Sequence, residues 1–327
     1  MKKSFGSLIN TIKDLFNTNK IDLAIGYKKG SINYSSSPLF MENADDADNL
    51  VFDQFCDTNL AVYLPKIFQK INIKDQKMPR VGIVAKGCDA RSIMGLIIEN
   101  QVPRENVIII GMPCMGMINV KKLLNSVKDK IVSYEVEKDS ITVKTKSSAI
   151  KKIKLKDVME QACEECQNPI MDSADIKIAG KVKDISASKY TRIKEFEAMP
   201  IQKRMEYFKK ELSKCIRCNA CRQACPNCYC KVCFIDQTKP RWIGLSDNLS
   251  DIMVYHLGRI FHQAGRCVGC DACVRACPQG VDLRLFTQKL VQDVEELFGF
   301  IPGISENAVP PLCEFKEGDS QDFITAP

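Results

Sequence analysis

Apolar residues change rhythm along this chain. Between residues 80 and 110 they come in short unbroken runs, Arg-Val-Gly-Ile-Val-Ala at 80–85 and Val-Ile-Ile-Ile at 107–110. Runs of this kind are what strands buried on both faces of a parallel sheet look like. The first run passes through Lys86-Gly87-Cys88-Asp89-Ala90-Arg91 into a helical pattern over 92–98, and a helical stretch at 60–71 precedes it. Strand alternating with helix predicts an α/β unit with a parallel sheet. Residues 131–136 and 141–145 flank a turn at Lys138, Asp139 and Ser140 and predict a hairpin.

From residue 188 onward the period is helical. Residues 188–213 predict a helix broken near Pro200. Over 248–264 the apolar positions are Leu249, Ile252, Met253, Leu257, Ile260 and Phe261, with Gly265 as a stop. Leu283, Phe286, Leu290, Val294 and Leu297 make a further stripe that ends at Gly299. The predicted architecture is an α/β N-terminal domain with a small mostly parallel sheet (1–180), a mainly α-helical domain (181–304) and a polar tail (305–327). A length of 327 residues has room for two such cores.

Composition narrows the chemistry. No apolar run approaches the roughly 18 residues of a membrane helix, and the basic N-terminus lacks a signal peptide's apolar core. A cytoplasmic protein with no membrane span is expected. The net charge of +7 is spread along the chain; the eleven lysines of 119–156 read as a solvated face, and no nucleic-acid partner is expected. Seventeen cysteines against two histidines is the informative ratio. Their odd number and tight spacing suit metal ligands in a reducing compartment better than disulfides.

Cys215, Cys218, Cys221 and Cys225 precede Pro226 with spacing C-x2-C-x2-C-x3-C-P, and Cys267, Cys270, Cys273 and Cys277 precede Pro278 in the same way, 52 residues on. This is the bacterial ferredoxin pattern, in which the fourth cysteine of each run completes the other cluster. Two [4Fe–4S] clusters are therefore expected: a first on Cys215, Cys218, Cys221 and Cys277, and a second on Cys267, Cys270, Cys273 and Cys225. Zinc modules instead pair two C-x2-C units across a long gap. Between the runs, His256 and His262 are expected to pack or face solvent near a cluster rather than to ligate it.

Cys88 and Cys114 fall just past the two predicted strands, at the sheet edge where parallel sheets bind ligands. With the C-x2-C pair Cys163 and Cys166 they make four cysteines from three loops, enough for a third [4Fe–4S] site; separately buried structural cysteines are the alternative. Cys228, Cys230 and Cys233 follow the first ferredoxin run. They either start a fourth cluster, with Cys56 or Cys313 as a distant ligand, or pack beneath a cluster as weak donors. Trp242, the only tryptophan, is expected to cap the helical domain's core.

Gly87-Cys88-Asp89-x-Arg91, Ile109-Ile110-Gly111-x-x-Cys114, Cys163-x-x-Cys166 and Ala174-Asp175-Ile176-x-Ile178-x-Gly180 occur in this order over about residues 80–180. The ordered set resembles the coenzyme F420 hydrogenase/dehydrogenase beta-subunit family. The resemblance implies one [4Fe–4S] cluster on those four cysteines beside FAD, which exchanges electrons with a deazaflavin. Lys86, Gly87, Asp89 and Arg91 are the residues it would bring near a flavin or the cluster. Here the last glycine comes one residue later than in the family, the chain runs on into a ferredoxin module, and no G-x-G-x-x-G phosphate loop is present. The C-terminal half resembles subunits that accompany formate dehydrogenases, hydrogenases and heterodisulfide-reductase-like complexes.

The expected function is that of an iron–sulfur electron-transfer subunit. It would relay electrons between a catalytic subunit of formate dehydrogenase or hydrogenase type and a flavin-containing heterodisulfide-reductase-like partner in anaerobic metabolism. No acid–base pair or nucleophile stands out, so chemistry on a substrate is assigned to a partner. One rival reading is an FAD-dependent diaphorase oxidising reduced deazaflavin or a nicotinamide; another is a redox-sensing or assembly protein.

Overall fold

The computed structural model describes residues 2–70, 77–137, 139–170, 172–185, 189–311, 313 and 317–318. Ile71, the turn residue Lys138, the start of the 188–213 helix and most of the tail fall outside them. An amphipathic helix α1 (Lys2–Asn17) opens the chain and buries Leu8, Ile12 and Leu15 at helical spacing. Strands β1 (Leu23–Lys29) and β2 (Ser36–Met41) pair antiparallel. Pro38 in β2 cannot donate to a ladder, which fits its place on the sheet's edge. The 60–71 pattern begins as a 3-10 turn at Leu60–Tyr63 and becomes helical in α2 (Leu64–Lys70).

Strand β3 (Val81–Ala85), helix α3 (Gly87–Ile98) and strand β4 (Val107–Gly111) follow. All five residues of β3 are buried, the two-faced burial that its unbroken apolar run implies. Helix α3 starts at Gly87, so Cys88 and Asp89 lie in its first turn rather than in a loop before residue 92. The sheet order is β2-β1-β3-β4 followed by a last strand β8 (Ile176–Lys177), with parallel pairing throughout except at the β1–β2 edge. Helix α4 (Val120–Val127) and strands β5 (Ile131–Val136), β6 (Ser140–Thr145) and β7 (Ile150–Lys154) build a separate antiparallel sheet. Helix α5 (Leu155–Val158) closes its core, in which Leu123, Val127, Ile141 and Val143 are buried. The lysines of this sheet are exposed, and Lys152 pairs with Glu137. Helix α6 (Gln161–Glu164) and the two-residue strand β8 (Ile176–Lys177) complete the α/β part.

The remainder is helical: α7 (Thr191–Glu197), α8 (Ile201–Leu212), α9 (Ala220–Gln223), α10 (Leu249–His262), α11 (Ala272–Arg275) and α12 (Leu283–Phe298). Pro200 is the N-cap of α8, and Gly299 ends α12 in the left-handed region (φ 62°). Leu212, Ile235, Ile252, Tyr255, Val281 and Leu283 form the core. Trp242 is no part of it: the ring is 65% exposed and its Nε1 donates to Gln237. A bulky ring in a loop held by a surface hydrogen bond stays at the rim. Among the described residues no helix is long and apolar enough to cross a membrane.

The duplicated cysteine run folds as a duplicated loop. Helices α9 and α11 stand 52 residues apart, as the motifs do, and each is entered through a left-handed residue, Asn219 (φ 60°) and Asp271 (φ 57°). Asn and Asp tolerate that region best after glycine. Two positions earlier Arg217 (φ 51°) and Gly269 (φ 72°) are again both left-handed. The repeat is thus one of backbone conformation, which turns successive cysteines inward.

Candidate metal centres

The loops that carry Cys88, Cys114, Cys163 and Cys166 meet at the C-terminal edge of the five-stranded sheet. They line one cavity of about 470 Å³. Gly87 permits this closure, because a Cβ there would stand 1.8 Å from the Asn168 carbonyl oxygen. The Cys114 backbone N–H donates to Pro169 O at 3.1 Å and ties the second loop to the third. Two further backbone N–H groups point at sulfur, Met117 at Cys163 Sγ (3.2 Å) and Gly116 at Cys114 Sγ (3.4 Å). Desolvation pushes the Cys88 thiol well up, that of Cys114 to about 12 and that of Cys163 to about 11. Thiols held protonated in this way become ligands only when a metal takes the proton's place.

Cations ring the same cavity. Lys86 is 2% exposed and pairs with fully buried Asp89 at 2.8 Å, while its ammonium also donates to Thr58 O and Tyr27 Oη. Asp89 closes a capping box on α3 and accepts from the Cys88 thiol at 3.7 Å, and Lys86, Gly87 and Arg91 line the cavity. Arg275 donates to the carbonyls of Cys270 (2.8 Å) and Asp57 (2.7 Å). Arg284 pairs with Asp271 at 2.8 Å and Glu165 at 2.5 Å. Cys270, from the second ferredoxin run, lines this cavity too.

Cys215, Cys218, Cys221 and Cys277 line a second, small cavity with Tyr255 and His256. The fourth cysteine there comes from the other run. His256 Nε2 lies 3.3 Å from Cys215 Sγ, and Tyr255 Oη 3.6 Å from Cys221 Sγ. Burial, helped by the charge of Arg259, lowers the His256 pKa to about 4, so the ring is a neutral hydrogen-bonding group. His262 instead packs edge-on against Phe234.

Cys225 lines a different cavity, of about 280 Å³, with Cys228, Cys230 and Cys233, and Tyr255 lines both. The Cys225 thiol, raised first by its hydrogen bond to Cys228 and then by burial, also feels Arg259. Burial raises Cys273 and pushes Cys267 to about 12, and both feel the charge of Cys225. Gln288 Nε2 stands 3.9 Å from Cys267 Sγ. Neither Cys56 nor Cys313 reaches the Cys228 cavity: Cys56 is buried near Val51 and Asp53, and Cys313 is exposed.

Among the described residues no three His, Cys, Asp or Glu converge on a point for a single ion. The first and third sets instead each line one cavity, whereas Cys225 and Cys270 of the second line two different ones. Arg259 Nε and Nη1 are buried with no carbonyl or carboxylate partner, and the guanidinium stands beside the Cys228 thiol. Sequence reasoning missed Arg259, Arg275 and Arg284. The available signal was Arg259 itself, which shares the buried face of α10 with Ile252, Tyr255 and His256.

Residues 78–194 match the family described as the carboxyl-terminal region of the coenzyme F420 hydrogenase/dehydrogenase beta subunit. Over these residues the chain is similar to that family. Residues 211–281 match the 4Fe-4S dicluster domain, so the beta-subunit segment is joined to an iron–sulfur module within one chain. The F420-dependent formate dehydrogenase subunit beta of Methanocaldococcus jannaschii is 23% identical over 364 residues, covering 94% of this chain and 93% of that one. The F420-dependent formate dehydrogenase 1 subunit beta of Methanococcus maripaludis is 22% identical, covering 94% and 92%. Among solved structures, a chain of the F420-reducing [NiFe] hydrogenase complex from Methanosarcina barkeri aligns with a TM-score of 0.40 and 16% identity, over 51% of this chain and 63% of its own.

Proposed function

We propose that this chain is the electron-transfer subunit of an oxidoreductase complex, with three [4Fe–4S] positions in a row. The first would be held by Cys215, Cys218, Cys221 and Cys277, the second by Cys267, Cys270, Cys273 and Cys225, and the third by Cys88, Cys114, Cys163 and Cys166. The observation that carries the reading is a shared cavity, since Cys270 of the second set lines the space enclosed by the third. Each bound core would supply one-electron exchange. The chain's part is to hold the thiolates, exclude water and set the local field through backbone N–H groups, His256 and the buried cations.

The third set lies at the sheet edge, and in the first set Cys218 is exposed. This order supports a relay from a site on the α/β part to a partner docked near Cys218. The two curated relatives favour formate dehydrogenase as the assembly, with a hydrogenase-type subunit as the other donor and a heterodisulfide-reductase-like subunit as a candidate acceptor. A flavin-bearing diaphorase is the second reading. It is favoured by a cavity of about 220 Å³ lined by Phe52, Met112, Met115 and Met117, which shares Gly116 and Met117 with the third set.

The test is iron, acid-labile sulfide and flavin per chain in anaerobically prepared protein. About twelve irons are expected, falling to about eight in Cys114→Ala. About eight irons in the unaltered chain would overturn the third position. Flavin retained through desalting would favour the diaphorase reading.

A further inference from the structure

Among the described residues two arginines are buried without a carboxylate partner. Arg91 is 9% exposed and Arg259 3%. Arg275 and Arg284 pair with Asp57, Glu165 and Asp271; among the described residues Arg91 and Arg259 form no ion pair. Arg91 spends its fork on carbonyls, with Nε and Nη2 on Pro302 O (3.0 and 2.8 Å) and Nη1 on Val268 O (3.2 Å). Arg259 donates through Nη2 to Cys221 O at 3.1 Å, no carbonyl or carboxylate meets Nε or Nη1, and the thiol of Cys228, lowered first by its hydrogen bond to Cys225, also feels the guanidinium. The carboxylate of Glu295 feels Arg91 but is taken by Lys189. A guanidinium buried in this way is costly unless an anion faces it.

Each arginine stands where two cysteine sets meet. Arg91 lines the cavity of Cys88 and Cys166 and grips the carbonyl of Val268, next to Cys267. Arg259 grips the carbonyl of Cys221, in the first set, and lines the cavity of Cys225, in the second. We propose that Arg91 and Arg259 are the fixed counter-charges at the two junctions of the relay, Arg91 between the third and second positions and Arg259 between the second and first. This rests on the three-position reading above. A thiolate-bound iron–sulfur core is anionic and gains one negative charge on reduction. A fixed cation therefore favours the reduced form and raises the potential. A cation shared by two neighbours raises both, so the step between them stays small.

The test compares Arg91→Met, Arg91→Lys, Arg259→Met and Arg259→Lys with the unaltered holoprotein, by iron content and EPR-monitored potentiometry. Arg91→Met is expected to lower the midpoints of the third and second positions and spare the first. Arg259→Met is expected to lower the first and second and spare the third. Each affected couple should lose at least tenfold in its reduced-to-oxidised ratio at fixed solution potential, 59 mV for one electron. The lysine variants keep the charge without the fork and should return most of the shift. Unmoved midpoints in iron-replete Met variants, or equal shifts at all three positions, would overturn the proposal. So would Lys variants that shift as far as Met, which would mark a packing role. Where a Met variant loses iron, the Lys variant decides, because charge predicts near-native midpoints and packing does not. About eight irons in the unaltered protein would defeat the three-position reading and the Arg91 junction with it, leaving the Arg259 arm to stand or fall by its own midpoints.

Discussion

Lys86 carries the most consequential ion pair at the residue scale. Its ammonium and the Asp89 carboxylate are 2% and 0% exposed and 2.8 Å apart. Both have satisfied hydrogen bonds, Lys86 to Thr58 O and Asp89 from Tyr27 Oη at 3.1 Å. Removing one partner leaves the other charge buried and unpaired, which typically costs about 3–5 kcal/mol. Lys86→Met is therefore expected to lower the denaturation midpoint by several degrees. Adding Asp89→Leu should recover part of the loss, since an apolar pair of similar volume is tolerated where a lone charge is not. A single variant with an unchanged midpoint would mean that water reaches Asp89. On the surface, the Asp22 carboxyl is lowered to about 2, first by its hydrogen bond to Arg80. A carboxylate lowered on folding contributes stability above its unfolded pKa, lost as pH falls through the folded value. Asp22→Asn should thus flatten the acid limb of the unfolding profile between pH 4 and pH 2 and change little at pH 7. Thermal melts across that range measure it, and solvent screening keeps the effect small.

At the scale of elements, the strand-to-helix junction after β3 does more than carry Cys88. Gly87 lets the loop at 168–170 close over the start of α3, and that loop positions Cys163 and Cys166. Gly87→Ala would force the Asn168 carbonyl outward and open the cavity without removing any cysteine. The expected result is a loss of about four irons with the ferredoxin signals retained; full iron content would show that the loop relaxes freely. This junction also marks how far the sequence can be read. Strands β3 and β4, the hairpin, α10 and α12 are legible because their apolar period is long and clean. The ferredoxin runs are legible because their spacing is chemical. Strand β8 is not, since two residues carry no period, and β2 is disguised by Pro38. Helix α1 displays Leu8, Ile12 and Leu15 at helical spacing but carries no chemistry that singles it out. The meeting of Cys88, Cys114, Cys163 and Cys166 is legible only as an ordered set of loops. That Cys270 joins their cavity is a tertiary fact with no local signature, and so is the burial of Arg91.

For the whole molecule, the decisive question is how the duplicated runs share their ligands. Cys277 lines the cavity of Cys215, Cys218 and Cys221, although 56 residues separate it from Cys221. Cys225, only four residues from Cys221, lines instead the cavity of Cys228 and Arg259. In the proposed assignment the fourth ligands are exchanged, which makes the second position the middle of the row. Cys277→Ser and Cys225→Ser should each lose about four irons, so iron counts alone do not tell them apart. Magnetic coupling does. Cys277→Ser should keep the second and third positions, which meet at one cavity, and retain a coupled, broadened EPR spectrum on full reduction. Cys225→Ser should keep the outer two with the middle removed, giving separate narrow signals. It should also slow electron passage from the α/β end to the exposed Cys218 end by orders of magnitude, because the remaining positions are no longer neighbours. If each run kept its own fourth cysteine, the two spectra would be interchanged, and the proposed exchange of fourth ligands would fall.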